Sequence, residues 1–161
     1  IFHIDVNSAY LSWEAAYRLE QGEEVDLRKI PSAIGGDEAS RHGVVLARST
    51  PAKKYGVVTG EPLAMARRKC AHLIVVPARH EIYEQYSNAL IELLKDYSPC
   101  VEPFSIDESF IDYTNMEMHF GPPVKAANDI KERIKKEFIN SRVTINIDRN
   151  YISTKGLKNE E

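Results

Sequence analysis

The 161-residue chain lacks the sequence features of zinc-binding, secreted and membrane proteins. Its two cysteines, Cys70 and Cys100, have no second pair and no histidine at ligand spacing, so we do not expect a zinc site. So few cysteines are typical of a reduced intracellular protein. No apolar run approaches the roughly 20 residues that span a membrane, and no signal peptide is recognisable. We therefore expect a cytoplasmic protein of bacterial type with no membrane partner.

The chain also lacks a net positive charge, which would indicate affinity for nucleic acid over the whole surface. Its formal net charge is −3, but the charge is unevenly distributed. Residues 41–69 contain seven lysines and arginines and one acid, so this segment carries +6 and the remainder −9. A basic surface on an acidic body is typical of a site that handles phosphate groups. A basic but merely solvated surface is the alternative.

There is no initiator methionine, and residues 156–161 form a polar tail. We expect the chain to be a fragment of a longer protein. With 43% hydrophobic residues, it has enough apolar material for one globular domain or slightly more.

Hydrophobic periodicity predicts an α+β fold. Asn7 and Ser8 offer an N-cap for a helix over residues 9–19, and Thr50 offers one for a short helix that ends at Gly56. We predict strands over residues 2–6, 43–47, 73–76, 100–106, 108–113 and 142–147, and further helices over 62–70, 80–97 and 124–138. Without residues 8–74, the order β, α-β-β-α-β is the ferredoxin-like split βαβ arrangement, with a small, mostly helical insertion after the first strand.

Carboxylates interrupt two short apolar, β-prone segments. Asp5 lies in the first strand, and Asp107 and Glu108 lie in the predicted hairpin. In a split βαβ sheet the first strand lies beside that hairpin, so Asp5 can approach the other two. Three clustered carboxylates repel one another unless divalent cations neutralise them, and such a cluster is typical of two-metal phosphoryl transfer. Adjacent strand residues point to opposite faces, so the hairpin must turn or bulge at Asp107 and Glu108.

Three ordered motifs resemble those of the Y-family translesion DNA polymerases, in their DNA polymerase IV-like branch. They are Ile-Asp-Val-Asn-Ser-Ala-Tyr at residues 4–10, the segments 43–47, 52–56 and 60–62, and Tyr-Ser-Pro-Cys-Val-Glu-Pro-Phe-Ser-Ile-Asp-Glu-Ser-Phe-Ile-Asp at residues 97–112. The resemblance implies a catalytic palm of residues 1–8 and 75–147 and fingers of residues 9–74. Residues 148–161 form a divergent tail, and the family's thumb and little finger are absent.

The resemblance also implies roles for particular residues. Asp5, Asp107 and Glu108, with the Val6 carbonyl, would hold two Mg²⁺ ions. Tyr10 would exclude a ribose 2′-hydroxyl, although a core aromatic is the alternative at this position. The nucleotide-binding residues would be Thr50 and Lys53 at the triphosphate and Ala9 at the nascent base pair, with Lys54 and Arg48 as weaker candidates. Lys155 is the nearest candidate for a lysine that the family places after the last palm strand.

The resemblance implies template-directed synthesis across damaged DNA, with primer-template DNA, a deoxynucleoside triphosphate (dNTP) and a sliding clamp as partners. The clamp would bind a C-terminal region that this chain does not contain, and the isolated fragment would be weakly active or inactive. A non-catalytic scaffold in a mutagenesis complex is one alternative. A diguanylate cyclase is the other, because residues 35–38 read Gly-Gly-Asp-Glu. We expect His3 to pack beneath the sheet and Trp13 to lie in the core.

Overall fold

The computed structural model describes residues 1–36, 43–139, 141 and 143–147. In chain order the elements are β1 (Phe2–Val6), α1 (Ala9–Glu20), β2 (Ser32–Gly35), β3 (Val45–Arg48), α2 (Thr50–Lys54), α3 (Leu63–Lys69), β4 (Ile74–Pro77), α4 (His80–Lys95), β5 (Val101–Pro103), β6 (Glu108–Ile111), α5 (Glu117–Phe120), α6 (Pro123–Glu137) and β7 (Val143–Ile147), with a 3₁₀ turn at Leu27–Lys29. None of the helices in these residues is both long and apolar enough to cross a bilayer.

The larger sheet has four strands in the order β5-β6-β1-β7, and each neighbouring pair is antiparallel. Phe2, Ile4 and Val6 are buried on one face of the central strand β1, against side chains of α4 and α6. The alternate residues His3 and Asp5 are only partly buried on the other face. This strand order and the two helices on one face confirm the predicted α+β, split βαβ fold.

The insertion after β1 contains a second sheet, in the order β3-β2-β4. The sequence analysis predicted β3 and β4 approximately but missed β2. Strand β2 is only four residues long and is buried throughout, so it has no polar–apolar alternation to recognise. Strand β4 pairs in parallel with β2, so β4 is hydrogen-bonded to the second sheet, in the insertion. The predicted palm nevertheless begins inside β4, at residue 75.

Two predicted helix caps differ from the structure. Ser8 lies at the N-cap of α1 with φ of 49° and ψ of 52°, and its side chain caps no backbone N–H. The side chain of Asn7 instead accepts a hydrogen bond from Thr144 Oγ1 at 2.8 Å, across the sheet. At α2 the cap is Ser49 rather than Thr50, because Ser49 Oγ accepts from the Ala52 N–H at 3.1 Å. Both helices begin close to the predicted positions.

A buried carboxylate joins α1 to α4. Glu14 is fully buried, and its carboxylate accepts hydrogen bonds from both Arg79 Nε and Nη2, from Arg18 Nε at 2.7 Å and from the Tyr83 hydroxyl at 2.8 Å. Burial alone would raise the pKa of Glu14, but the hydrogen bonds from Arg79, Arg18 and Tyr83 hold the pKa below its ordinary value. The pairing fixes the first helix of the insertion against the long helix behind the larger sheet.

We expect Glu14→Gln to lower the free energy of unfolding at pH 7 by about 3 kcal/mol, because two guanidinium groups then face a neutral amide. Urea denaturation would measure the loss. Glu23→Gln is the matched control, since the exposed Glu23 contacts Arg18 only at 3.3 Å and should cost less than about 1 kcal/mol.

The same substitution should also change the pH dependence of stability. Because folding lowers the pKa of Glu14, its contribution is present above the ordinary value of 4.5 and is lost as the pH falls through the folded-state pKa. The stability difference between the wild type and Glu14→Gln should therefore shrink below pH 4.5. A difference that stays constant down to pH 3 would contradict this assignment.

Candidate active site

Asp5 and Glu108 lie directly opposite each other across the β1–β6 pair. Asp107 precedes β6, and its carbonyl accepts a hydrogen bond from the Val6 N–H at 2.9 Å. The predicted turn is therefore present: Asp107 lies in the β5–β6 connection, and the regular strand begins only at Glu108. The N–H groups of Phe104 and Ser105 both donate to the Glu108 carbonyl, so β5 ends at Pro103 rather than at residue 106.

Asp107 and Glu108 both affect the ionisation of Asp5. Burial raises the pKa of Asp5 above its ordinary value, and the negative charges of Asp107 and Glu108 raise it further. Deprotonating Asp5 is therefore costly without a cation. Three carboxylates supply the hard oxygen ligands that Mg²⁺ prefers, so the donor set fits this ion.

Asp107 and Glu108 also have protein partners of their own. Ser105 Oγ donates to Asp107 Oδ1 at 2.8 Å, and His3 Nε2 lies 3.3 Å from Glu108 Oε2. Among the described residues, no three histidine, cysteine, aspartate or glutamate side chains are already arranged as a metal-binding group. The backbone thus brings the three positions together, although the three carboxylates do not all meet at one point.

The expectation that His3 packs beneath the sheet was wrong. His3 is on the same face of β1 as Asp5, and its side chain is 30% exposed. The buried positions of β1 are Phe2, Ile4 and Val6, so strand alternation places residue 3 on the open face. Trp13 is buried in the core, as expected.

A cavity of 350 Å³ adjoins the carboxylates. It brings together most of the predicted site residues, namely Asp5, Val6, Ala9, Tyr10, Lys53 and Asp107. Its wall also includes residues that the sequence analysis did not assign to the site, namely Ser8, Leu46, Ala47, Thr59 and Ile106. Asp5 and Asp107 give this wall negative groups and Arg48 and Lys53 give it positive ones, which are the charges needed to hold a metal-bound anion.

A second cavity of 810 Å³ lies alongside and contains Thr50 and Lys53 in its wall. Three further cationic side chains line it, namely Arg28, Lys29 and Arg48. Arg28 is paired with Asp26, which lies in the same wall. Thr50 is exposed and does not line the first cavity, so the two predicted triphosphate residues are only partly brought together.

Arg48 lines both cavities, although the sequence analysis ranked it low. Its Nη1 donates to Thr59 Oγ1 at 2.9 Å, while its Nε is buried without a hydrogen-bond partner. A buried unpaired donor is costly, so this guanidinium is suited to an additional acceptor. In β3 Val45 and Ala47 are buried and Arg48 is only partly so, but the sequence Val-Leu-Ala-Arg has no polar alternation from which this placement could have been predicted.

Tyr10 faces the first cavity from a fixed aromatic platform. Its ring stacks on Tyr83 with centroids 5.0 Å apart and meets His80 edge-on at 5.5 Å. Tyr10 also packs against the core, so the proposed site role and the alternative of a core aromatic are both consistent with its position. Because Glu14 accepts the Tyr83 hydroxyl hydrogen bond, the buried ion pair supports this platform.

Some sequence predictions fall outside the described residues. Of the Gly-Gly-Asp-Glu segment, Gly35 ends β2 and Gly36 follows it, whereas Asp37 and Glu38 are not described. Lys155 and the rest of residues 148–161 also lie outside the described part of the chain.

Comparison with known proteins finds a matching family and similar DNA polymerases. Residues 4–152 match the model of the impB/mucB/samB family. The chain is 52% identical over 155 residues to a DNA polymerase IV of Clostridium acetobutylicum, covering 96% of this chain and 39% of that protein. It is 39% identical to a DNA polymerase IV of Acetivibrio thermocellus, covering 94% of this chain and 36% of that protein. The chain thus spans about two fifths of the length of these relatives.

Solved structures give the same result. The crystal structure of DinB from Sulfolobus solfataricus superposes with a TM-score of 0.78 at 27% identity, covering 96% of this chain and 43% of that one. An insertion ternary complex of Dbh DNA polymerase has the same TM-score and identity and covers 96% of this chain and 44% of its own.

We expect Asp5→Asn to stabilise the metal-free chain at neutral pH. Folding raises the pKa of Asp5, so the ionised group opposes folding above its ordinary value of 3.8, and the amide removes that opposition. Asp112→Asn is the matched control with the opposite sign, because hydrogen bonds from Thr114 lower the pKa of Asp112. Thermal unfolding in a chelator would show a higher midpoint for Asp5→Asn and a lower one for Asp112→Asn. A lower midpoint for both variants would contradict the inference that ionised Asp5 destabilises the folded chain.

Proposed function

Because the chain belongs to the impB/mucB/samB family of Y-family DNA polymerases, we propose that it is the palm and fingers part of a translesion DNA polymerase. The reaction would be template-directed transfer of a nucleotide from a dNTP to the 3′-hydroxyl of a primer. The observation that carries the proposal is the placement of Asp5, Asp107 and Glu108 around one end of the β1–β6 pair, beside a cavity that also contains Lys53 and Tyr10.

The three carboxylates would hold two Mg²⁺ ions, with the Val6 carbonyl as a further ligand. When bound, these ions supply charge neutralisation and activation of the primer hydroxyl. The raised pKa of Asp5 supports this role, since a site that destabilises its own ionised carboxylates gains most from a cation. The protein's contribution is then to position the reacting groups and to balance charge.

The remaining cavity residues would bind the nucleotide. Lys53 is a point charge suited to the triphosphate, and Arg48 lines both cavities with a guanidinium whose Nε has no hydrogen-bond partner. Thr50 would contribute a hydroxyl from the adjoining cavity. The ring of Tyr10 would pack against the sugar, and the small side chain of Ala9 would leave room for the nascent base pair.

The division into a palm of residues 1–8 and 75–147 and fingers of residues 9–74 is part of the same proposal. Docking between the parts is supported by the Glu14 ion pair and by Arg28 Nη1, which donates to the Ile139 carbonyl at 2.7 Å. The whole protein would act on primer-template DNA in the cytoplasm and bind a sliding clamp outside this segment. The segment alone would extend primers weakly or not at all.

The first test is primer extension by the full-length protein with Mg²⁺ on undamaged and abasic templates. We expect Asp107→Asn to reduce the rate by roughly a thousand-fold, which corresponds to about 4 kcal/mol of transition-state stabilisation. Asp129→Asn is the control, since Asp129 is 53% exposed and pairs with Lys125 away from the cavity. DNA binding without extension by the wild type would favour the scaffold alternative, and activity that survives Asp107→Asn would place the metals elsewhere.

Replacing Tyr10 by alanine should weaken the exclusion of ribonucleotides. We expect the preference for dATP over ATP to fall by roughly ten-fold or more, because the ring that would contact a 2′-hydroxyl is removed. Single-nucleotide incorporation with each nucleotide measures the ratio of kcat/KM values. Tyr55→Ala is the control, since Tyr55 is 47% exposed and does not line the cavity. Unchanged discrimination in Tyr10→Ala would exclude the gate role.

A further inference from the structure

His3 is held in a fixed position beside the carboxylates. It is the direct cross-strand partner of Phe110, and the two rings stack with centroids 4.8 Å apart and an interplanar angle of 24°. The ring of Phe104 meets the ring of Phe110 edge-on, with centroids 5.8 Å apart. The imidazole of His3 therefore packs on a side chain of β6, the strand that begins at Glu108.

The imidazole contacts one oxygen of Glu108. Nε2 of His3 lies 3.3 Å from Oε2 of Glu108, within hydrogen-bond distance. With the ring proton on Nε2, the imidazole donates to this oxygen and leaves the other carboxylate oxygen for a different partner. Asp5 lies two residues along β1 on the same face and directly opposite Glu108. Glu108 thus contacts the imidazole and is the cross-strand partner of Asp5.

We propose that His3 is a positioning residue for Glu108: it holds one carboxylate oxygen and leaves the other to bind a cation that Asp5 and Asp107 would also hold. A donor that fixes a ligating carboxylate reduces the side-chain freedom lost when a cation binds. Such partners of metal ligands affect metal affinity although they do not touch the metal. The inference rests on the proposed metal-binding function of the same carboxylates.

The test is Mn²⁺ binding to the full-length protein, measured from the electron paramagnetic resonance signal of the Mn²⁺ that remains free. His3→Phe keeps a ring for stacking on Phe110 but removes the donor, and it should weaken Mn²⁺ binding by roughly ten-fold. His3→Gln restores an amide donor near the position of Nε2 and should bind within a few-fold of the wild type. His119→Gln is the control for the loss of a histidine elsewhere, and thermal unfolding midpoints verify that each variant is folded.

A second measurement separates positioning from catalysis. Primer extension by His3→Phe should require more Mg²⁺ for half-maximal rate but should approach the wild-type rate at saturating Mg²⁺. Phe110→Leu, which keeps His3 but removes the ring beneath it, should shift the Mg²⁺ requirement in the same direction by a smaller factor. This variant also tests the proposal if His3→Phe does not fold.

Three outcomes would overturn the inference: wild-type Mn²⁺ affinity in His3→Phe, equal losses in His3→Phe and His3→Gln, or a rate that stays low at saturating Mg²⁺. Failure of the proposed function itself would give a different set of results. In that case the wild type would not bind Mn²⁺, or Asp107→Asn would bind it as tightly as the wild type, whatever residue 3 is.

Discussion

The pairing of β1 with β6 is the constraint on which the site depends. Its register places Asp5 opposite Glu108, and the Val6 N–H binds the carbonyl of Asp107 at the point where the hairpin turns. A shift of one residue would move Asp5 to the buried face, where no cation could reach it. The apolar side of β1 opposes such a shift, because Phe2, Ile4 and Val6 would then leave the core. Hydrophobic burial on one face thus stabilises a repulsive cluster on the other.

The insertion after β1 completes the site because it brings cations to the carboxylates. It leaves the larger sheet directly after Val6, so α1 starts beside Asp5, and the second sheet places Arg48 over the same cavity. The insertion is held by polar contacts as well as by packing, above all by the buried Glu14. Since Tyr10 and Glu14 lie one helical turn apart on α1, the ion pair and the aromatic platform share one support.

Much of this arrangement could be predicted from the sequence, and the omissions have physical causes. The split βαβ order follows from periodicity in long elements such as α4 and α6, and the carboxylates are visible as charges in apolar strands. Strand β2 was missed because all four of its residues are buried. Arg48 and His3 were misjudged for a related reason: their roles depend on which strand face each occupies, and that was settled only by the pairing of neighbouring strands.

The charge pattern noted in the sequence now has a structural meaning. The basic segment contributes Arg48 and Lys53 to the cavity walls, whereas Lys69 pairs with Glu61 at 2.6 Å outside them. Of the described cations of this segment, Arg48 and Lys53 therefore line the cavity, whereas Lys54, Arg67, Arg68 and Lys69 are exposed outside it. A metal-bound polyphosphate would be neutralised from two sides: by ions held on the acidic sheet and by side chains of the insertion. Such a division would let a chain of net negative charge offer a local site for an anionic substrate.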